Sequence, residues 1–192
     1  MSSTAIDLLT PVHRLSVEQY MRLGETGVFD QGPRVELIDG VIVEMSPIGP
    51  PHFRAVGWLN KYLVPQLDPA LMLMPQCTLV MPEQGSAPEP DIAVLVEAEV
   101  GGQAPTPLLV IEVSDSSLRY DRITKARLYA RRGVADYWIL NVKHASVEML
   151  RDPDGEAWGS RTTHRAGETL EPLLLPEVGV ELGPLLAFTA GE

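Results

Sequence analysis

Two acidic residues, Asp91 and Glu112, stand at opposite ends of a predicted β-hairpin. Segments 91–96 and 108–113 are short apolar runs rich in β-branched residues, which is typical of buried strands, and the link between them contains two Gly and two Pro. Antiparallel pairing about residues 101–102 would place the two carboxylates opposite each other on one sheet face. Facing like charges destabilise a sheet, so we expect a counter-charge between them, and a divalent metal is the best candidate.

A third carboxylate, Glu36, lies in a second predicted hairpin. Segment 34–45 (RVELIDGVIVEM) contains Asp39-Gly40, the strongest short hairpin signal in the chain. A two-residue turn there places Glu36 opposite Val43, on a face that is otherwise aliphatic. A carboxylate in such surroundings needs a partner, which could be Arg34, a lysine on a helix, or a shared site with the first two acids.

The elements around these carboxylates can be predicted from capping and periodicity. Segment 16–24 predicts a short helix that begins after a serine cap and ends on glycine. Segment 50–63 predicts a helix with prolines at its start and a stripe at helical spacing of Phe53, Val56, Leu59 (or Asn60) and Leu63. Segment 71–81 predicts a strand, and segment 82–90 predicts a Pro- and Gly-rich loop.

A basic helix is predicted over 119–132, where it ends on Gly133, and a buried strand follows at 137–142. Strand 108–113, this helix and strand 137–142 form a predicted βαβ unit with a right-handed crossover. The helix carries six of the chain's fifteen basic residues: Arg119, Arg122, Lys125, Arg127, Arg131 and Arg132. Lys125 could alternatively pair with Asp121 on the helix surface, and the later arginines could complement the helix dipole.

The order of these elements predicts an α/β (α+β) fold, with a mixed sheet that has helices packed on its faces. The 192 residues predict a single domain over 1–192, with a core of about 15–145 followed by C-terminal strands and tail over 146–192. In the tail, segment 172–192 predicts one edge strand and irregular structure.

Composition excludes several classes of protein. No apolar run approaches the ~20 residues of a membrane span, and segment 1–11 has no signal-peptide pattern. The single Cys77 excludes an internal disulfide, which suits a cytoplasmic location. A net charge of −11 argues against a protein that coats nucleic acid by bulk attraction.

Common catalytic and metal motifs are also missing from the sequence. The four histidines show no zinc spacing, and His52, at the start of helix 50–63, is the one closest to the predicted site. Residues 115–117 are more simply read as the cap of the following helix than as nucleophiles. Neither a G-x-S-x-G elbow, a phosphate-binding loop nor a dinucleotide fingerprint occurs.

The motifs ELIDG, PEPDIAVL, IEVSDSS and DRITKARLYARRGVADYWIL, taken in this order over about residues 15–145, resemble the restriction-endonuclease-like PD-(D/E)XK superfamily. More closely, they resemble the Uma family of endonucleases. The resemblance implies a restriction-endonuclease-like mixed β-sheet flanked by helices, with an N-terminal β-hairpin extension. It also implies a hydrolase that cuts phosphodiester bonds with Mg²⁺ or Mn²⁺.

By the same resemblance, Asp91 and Glu112 would be metal ligands and Glu36 would complete or assist the metal site. The superfamily usually has a lysine two residues after the second acid, where this chain has Ser114. In the Uma branch a lysine on the following helix takes its place, which maps to Lys125. The candidate substrate-binding residues are His52, Arg119 and Arg122, the arginines because they would hold the phosphodiester backbone.

Three functions are compatible with the sequence. The first is a metal-dependent nuclease acting on DNA, with RNA as the alternative substrate. The second is a binding or assembly protein that keeps the fold without chemistry, and the third is a phosphoesterase for a small nucleotide. We also expect a two-fold homodimer whose basic helices line a shared cleft, because cutting both strands of a duplex needs two sites. In addition, the chain has large aromatic residues, such as Trp138 and Trp158, that its small helices do not obviously cover.

Overall fold

The computed structural model describes residues 12–100 and 105–190. The predicted centre of the carboxylate hairpin turn, residues 101–102, lies outside the described residues. The helices are α1 (Val17–Glu25), α2 (Pro50–Leu63), α3 (Leu118–Tyr120), a π-helical turn (Asp121–Lys125), α4 (Ala126–Arg132) and α5 (Leu182–Ala190). The strands are β1 (Val35–Ile38), β2 (Val41–Glu44), β3 (Leu71–Pro75), β4 (Ile92–Val96), β5 (Leu109–Ser114), β6 (Asp136–Asn141), β7 (Ser146–Asp154), β8 (Ala157–His164), β9 (Thr169–Leu170) and β10 (Val180–Glu181).

The main sheet has six strands in the order β3-β4-β5-β6-β7-β8. Strands β5 and β6 pair in parallel, and the other neighbouring strands pair antiparallel. A parallel pair requires a crossover, which here runs through helix 118–132. The predicted mixed sheet and its βαβ unit are therefore confirmed.

The register of β4 against β5 agrees with the prediction. Ala93 is paired with Val110, and the neighbouring pairs are Ile92 with Ile111 and Val94 with Leu109. Continuing this register by one residue past the ladder places Asp91 opposite Glu112. The two acids therefore lie at one end of the paired strands and on one face of the sheet.

The N-terminal hairpin also has the predicted register, with Ile38 paired to Val41 and Glu36 to Val43. Its two turn residues, Asp39 and Gly40, have φ angles of 48° and 76°. Positive φ at both central positions is what a type I′ turn requires, and glycine adopts it at little cost. Alternation along β1 then directs Glu36 and Ile38 to the main sheet and the residue between them to α1.

Two hydrophobic layers cover the main sheet. One layer is formed by α2, α5 and the buried residues facing them, including Leu59, Leu63, Ile111 and Leu185. The second layer is formed by α4, the hairpin and the opposite sheet face, including Leu128, Tyr129, Val110 and Ile139. The carboxylates of Asp91 and Glu112 are on the second face, beneath the hairpin and helix 118–132.

Helices α1 and α2 form where the capping signals place them. Ser16 caps α1 in a capping box with Gln19, since each side chain bonds the other residue's backbone N–H. The stripe predicted for α2 is wrong at Phe53, which is 73 % exposed, because the buried face of this helix is formed by Ala55, Leu59 and Leu63.

The predicted C-terminal strands are present as β7 and β8, which extend the main sheet beyond residue 145. The tail differs from the prediction, because it contains α5 rather than only an edge strand. Gly183 and Pro184 obscured this helix in the sequence, but proline is tolerated in the first turn, where its missing N–H has no helical partner. Strand β3 is also shorter than predicted and ends at Pro75.

The two tryptophans do not support the predicted homodimer. Trp138 is 2 % exposed in the core, and its indole N–H donates to Asp136. Trp158 stacks on Tyr137, and its indole N–H donates to the Ala126 carbonyl. Trp138 is buried and Trp158 is partly buried against Tyr137 within one chain, so the tryptophans do not supply the uncovered apolar surface on which the dimer prediction relied. Within the described ranges, none of the helices has the length and apolar character needed to cross a membrane.

Candidate active site

A cleft of about 580 Å³ opens on the second face of the main sheet. Its walls are the end of β2 with the loop that follows it, the start of α2, the end of β5 and segment 115–125. The cleft brings together six of the predicted site residues, namely Glu36, His52, Asp91, Glu112, Arg119 and Lys125. Their roles stay predictions, and their contacts show what each can do.

Lys125 lies at the floor of the cleft and is 2 % exposed. Its Nζ is 2.8 Å from Glu36 Oε2 and 3.0 Å from Glu112 Oε1, so it forms salt bridges to both carboxylates. Burial alone would lower the pKa of Lys125, but the two carboxylates and their hydrogen bonds raise it above its ordinary value. Lys125 is therefore a cation that faces the acids, and the alternative surface pair with Asp121 is wrong.

Glu36 is held by three donors. Its Oε2 accepts from Lys125 and from the Glu89 backbone N–H at 3.0 Å, and its Oε1 accepts from the Tyr120 hydroxyl at 2.8 Å. These bonds satisfy a carboxylate that is 1 % exposed. They favour a role in orienting Lys125, and the prediction that Glu36 is also a metal ligand stays a prediction.

Glu112 presents one engaged oxygen and one open oxygen. Oε1 accepts from Lys125 and, at 2.7 Å, from the Tyr129 hydroxyl, whereas Oε2 has no hydrogen-bond partner within the described residues. Burial raises the pKa of Glu112 well above its ordinary value, Lys125 opposes this, and the charge of Asp91 adds to it. A cation beside Oε2 would relieve both burial and repulsion.

Asp91 is fixed at the edge of the cleft by two contacts. Its Oδ2 accepts from the Val113 backbone N–H at 2.8 Å, and its Oδ1 lies 2.9 Å from His52 Nε2. The other ring nitrogen of His52, Nδ1, is buried without a partner among the described residues. Donation from Nε2 to the carboxylate is the tautomer that this arrangement favours.

A π-helical turn delivers Lys125 to the floor. Such turns are rare, occur as single bulges in α-helices, and are frequent at functional sites. Here the turn buries both Asp121 and Lys125, and the Tyr137 hydroxyl bonds the Asp121 carbonyl at 3.1 Å. Asp121 accepts from the hydroxyls of Ser114 and Ser117 at 2.5 and 2.6 Å, which anchors the turn to the end of β5.

Ser114 occupies the position where the superfamily pattern has a lysine. Residues two apart in a strand share a face, so a lysine at 114 would project on the same side as Glu112. In this chain Lys125 reaches that face from the helix above it, and Ser114 serves to hold the helix through Asp121.

The basic helix is not the open cationic surface that its composition predicts. Arg119 is exposed and lines the cleft, but Arg122 bonds Glu148 at 2.8 Å and is outside the cleft lining. Arg127 and Arg131 both form salt bridges to Glu156. The prediction that Arg122 contacts substrate is therefore not supported by its position, because an internal glutamate already uses its charge.

Sequence reasoning missed Tyr120 and Tyr129, whose hydroxyls bind Glu36 and Glu112. Tyr129 follows Lys125 by four residues, a spacing that places both on one helical face and could have identified it. Tyr120 precedes Lys125 by five residues, so only a π-helical turn brings the two together. No signal in the sequence indicates that turn.

The donor set fits a hard divalent cation with few protein ligands. Among the described residues, no three His, Cys, Asp or Glu side chains form a complete metal cage. Mg²⁺, however, commonly takes only one or two carboxylates and keeps several waters. Asp91 and Glu112 are the two carboxylates that the sequence predicted for this role, and the acids lining the floor (Glu36, Asp91, Glu112 and Asp121) outnumber its single lysine.

The sheet, the hairpin that covers it and the acidic cleft define a restriction-endonuclease-like fold. A crystal structure of a putative nuclease belonging to DUF820 from Anabaena variabilis has the same fold, with a TM-score of 0.70. That alignment covers 91 % of this chain and 99 % of the other at 16 % identity. The search of curated proteins returned no match.

The chain belongs to the Uma2 family, described as "Putative restriction endonuclease", whose model matches residues 17–185. The match extends beyond the range in which the sequence motifs lie and includes β7, β8 and the start of α5.

Proposed function

We propose that this protein is a metal-dependent nuclease that hydrolyses phosphodiester bonds in DNA, using Mg²⁺ or Mn²⁺. The observation that carries the proposal is the position of Lys125, a buried cation that bridges Glu36 and Glu112 at the floor of a cleft that also contains Asp91. Burying an ion pair brings little stability by itself, so its placement in a cleft favours a chemical role.

In this proposal Asp91 and Glu112 hold the cation through carboxylate oxygens, for which Asp91 Oδ1 and Glu112 Oε2 are the candidates. The bound ion would activate a water molecule and neutralise charge on the phosphoryl oxygens. The Val113 N–H and His52 keep the Asp91 carboxylate in place, and Tyr129 does the same for Glu112.

Lys125 would hold the attacking water or the scissile phosphate. An ammonium group has three N–H donors, and its two contacts within the described residues use two of them. The third is available for an oxygen of the substrate or of water. When water adds to phosphorus it gives up a proton, the P–O bond to the leaving sugar oxygen breaks, and that oxygen takes up a proton, so the step is balanced overall.

The test is cleavage of DNA by the wild-type protein with Mg²⁺, Mn²⁺ or EDTA. We expect Lys125→Met to abolish cleavage while Mn²⁺ affinity measured by calorimetry is retained, and Asp91→Ala to lose both. The control is Lys61→Met, which removes an exposed lysine from α2 outside the cleft lining. Equal cleavage by wild type and Lys125→Met would reject the role proposed for Lys125.

Three further features belong to this proposal. DNA is favoured over RNA by the family description, and substrates of both kinds belong in the assay. A homodimer would supply the two sites needed to cut both strands of a duplex, and light scattering at micromolar concentration tests it. The cytoplasmic location inferred from Cys77 stays a prediction.

A second candidate is a non-catalytic binding protein. The observation that favours it is that Lys125 already neutralises part of the charge for which a metal would be needed. The same experiments distinguish the two functions, because a binding protein would bind nucleic acid in the presence of Mg²⁺ or Mn²⁺ without cleaving it.

A further inference from the structure

Double-stranded nucleic acid is bound through many phosphate contacts, so a protein that takes a duplex needs a row of available cations. Few available cationic side chains lie beside the cleft of this chain. The basic residues of helix 118–132 are mostly committed to acids of the same chain, through the pairs Arg122–Glu148, Lys125–Glu36, Lys125–Glu112, Arg127–Glu156, Arg131–Glu156 and Arg131–Asp39.

Two arginines remain at the cleft itself. Arg34 lines it but forms a 2.7 Å salt bridge to Glu89. Arg119 lines it as well, is exposed, and has no acidic partner among the described residues. The cleft therefore offers Arg119 and the buried Lys125 for one or two phosphates, not a row of cations that could follow two strands.

A second, smaller groove of about 210 Å³ adjoins the cleft, and Ile48 and His52 line both. Phe53 also lines the groove and is 73 % exposed, although a large apolar ring gains nothing from solvent. The groove is smaller than typical drug-sized ligand sites of ~300–1,000 Å³, so it has room for one small chemical group rather than a whole ligand of that size.

The chemistry of this groove matches a nucleobase. Exposed aromatic rings beside a surface that binds the backbone are the stacking platforms of proteins that bind single strands. Here the exposed cation is Arg119, which lines the adjoining cleft and not the groove itself. Asn60 and Gln76 line the same groove, and their amides can donate to and accept from the edge of an unpaired base. Its continuity with the cleft through Ile48 and His52 places such a base beside the cleft that contains Asp91, Glu112 and Lys125.

We propose that the substrate is a single strand of nucleic acid, with Arg119 on its backbone phosphate and one base stacked on Phe53; this rests on the proposed nuclease function. A base inside a duplex is stacked and paired, so it is not available to the groove without unpairing. Single strands, frayed ends and flaps present such bases directly.

The test is fluorescence anisotropy with a short labelled oligonucleotide, as single-stranded DNA, single-stranded RNA and blunt DNA duplex of the same sequence. Ca²⁺ replaces Mg²⁺, and a gel verifies that the probe stays intact. We expect at least one of the single strands to bind about tenfold or more tightly than the duplex. We also expect a slope of log affinity against log salt of about −1, because one or two phosphates are contacted.

Variants separate the two contacts. Phe53→Ala should weaken single-strand binding by about tenfold, since stacking on one aromatic ring is typically worth that much, and Phe53→Trp should retain it. Arg119→Ala should weaken binding and flatten the salt slope. The matched controls are Leu174→Ala, an exposed apolar residue outside the groove, and Arg127→Ala on the outer side of the same helix, and both should bind as wild type.

Equal or tighter binding of the duplex would overturn the inference, as would absence of binding to every probe or unchanged binding by Phe53→Ala. Preference for a single strand without cleavage in Mg²⁺ or Mn²⁺ would keep the inference and reject the nuclease. Cleavage of the duplex as fast as of the single strand would keep the nuclease and reject the inference.

Discussion

Two glutamates on the same face of the main sheet are neutralised in different ways. Glu112 on β5 is paired with Ile139 on β6, and Ile139 is paired with Glu148 on β7, so the two acids lie in one row with an isoleucine between them. Both are nearly inaccessible to solvent, with exposures of 5 % and 3 %. Position and burial therefore do not distinguish them, and their partners do.

Glu148 is held by two arginines, Arg122 and Arg161, whose side chains are 41 % and 45 % exposed. Burial raises the pKa of Glu148, but the hydrogen bonds from these guanidinium groups outweigh it, and the pKa is lowered from its ordinary value. Each carboxylate oxygen has its own arginine, so the group is saturated and can take no further ligand.

Glu112 shares one buried lysine with Glu36, receives a tyrosine on the same oxygen, and keeps its second oxygen open toward the cleft. Its pKa is raised rather than lowered because burial outweighs the lysine. A buried carboxylate whose oxygens all have hydrogen-bond partners therefore stabilises the fold. A buried carboxylate with an open oxygen beside a cavity can still bind a ligand.

The largest effect that separates the two sites should be on stability. Lys125→Met leaves two buried carboxylates without their cation and should lower the free energy of unfolding by about 3–5 kcal/mol. Arg122→Met leaves Arg161 on Glu148 and should cost no more than about 1 kcal/mol, because the pair is partly exposed. Urea unfolding measures both, and the double variant Lys125→Met/Glu112→Gln should recover part of the loss. If Lys125→Met and Arg122→Met lowered the free energy of unfolding equally, Glu112 and Glu148 would not differ in the way proposed.

The second effect should be on catalysis. Glu112→Gln removes a carboxylate ligand from the proposed metal site and should slow cleavage by at least about 10²-fold, because a bound metal supplies several kcal/mol of transition-state stabilisation. Glu148→Gln, its matched control in the same row, should change the rate by no more than about twofold. A single-turnover cleavage assay compares the two, and similar losses would place Glu148 in the active site as well.

A third, smaller effect should be on metal affinity, and it tests the contact between His52 and Asp91. Glu148 has no histidine in a corresponding position. His52→Asn moves the amide nitrogen away from the position of Nε2, and Mn²⁺ affinity should fall by about tenfold, as is typical when a residue that orients a ligand is lost. His52→Gln places its amide nitrogen near that position and should restore most of the affinity. Calorimetry measures both without relying on cleavage, and equal affinities would reduce His52 to a packing residue.

The smallest effect should be the pH dependence of stability that arises from Glu148. Because the pKa of Glu148 is lower in the folded state, its stabilisation is fully present above the unfolded pKa of about 4.3 and is lost as pH falls through the folded pKa. In urea unfolding at pH 7, wild type should therefore be more stable than Glu148→Gln by less than about 1 kcal/mol. This difference should shrink at pH values below about 4. A larger difference at low pH than at pH 7 would reverse the assigned sign.

The parts of the fold that could be predicted are those governed by local rules. Asp39-Gly40 fixes a two-residue turn, and the turn fixes the partner of Glu36. Antiparallel pairing of two apolar runs about the middle of their link was enough to place Asp91 opposite Glu112, and the observed register agrees. The position of Lys125 near these acids was predicted from the resemblance to a family, not from the spacing of residues in the sequence.

The parts that could not be predicted depend on tertiary partners. Six basic residues in one helix suggested a surface for phosphates, but three of them, Arg122, Arg127 and Arg131, pair with acids of the same chain. Those acids lie on β7, on the loop after it and in the hairpin turn, which are distant from the helix in sequence. Phe53 fits the periodic stripe of α2 and is nevertheless exposed. Periodicity identifies a face of a helix but not its limits, which depend on what packs against it.

The π-helical turn sets the spacing in the sequence at which two side chains of the site share one face of the helix. In an uninterrupted α-helix each residue advances by about 100° around the axis, so Tyr120 and Lys125, five positions apart, would lie about 140° from each other. The extra residue of the π-helical turn removes this separation and lets both side chains reach the carboxylates. A relative without the extra residue would keep the two on one face with a four-residue spacing in a plain α-helix. A gap of one position inside this helix is therefore compatible with the same site.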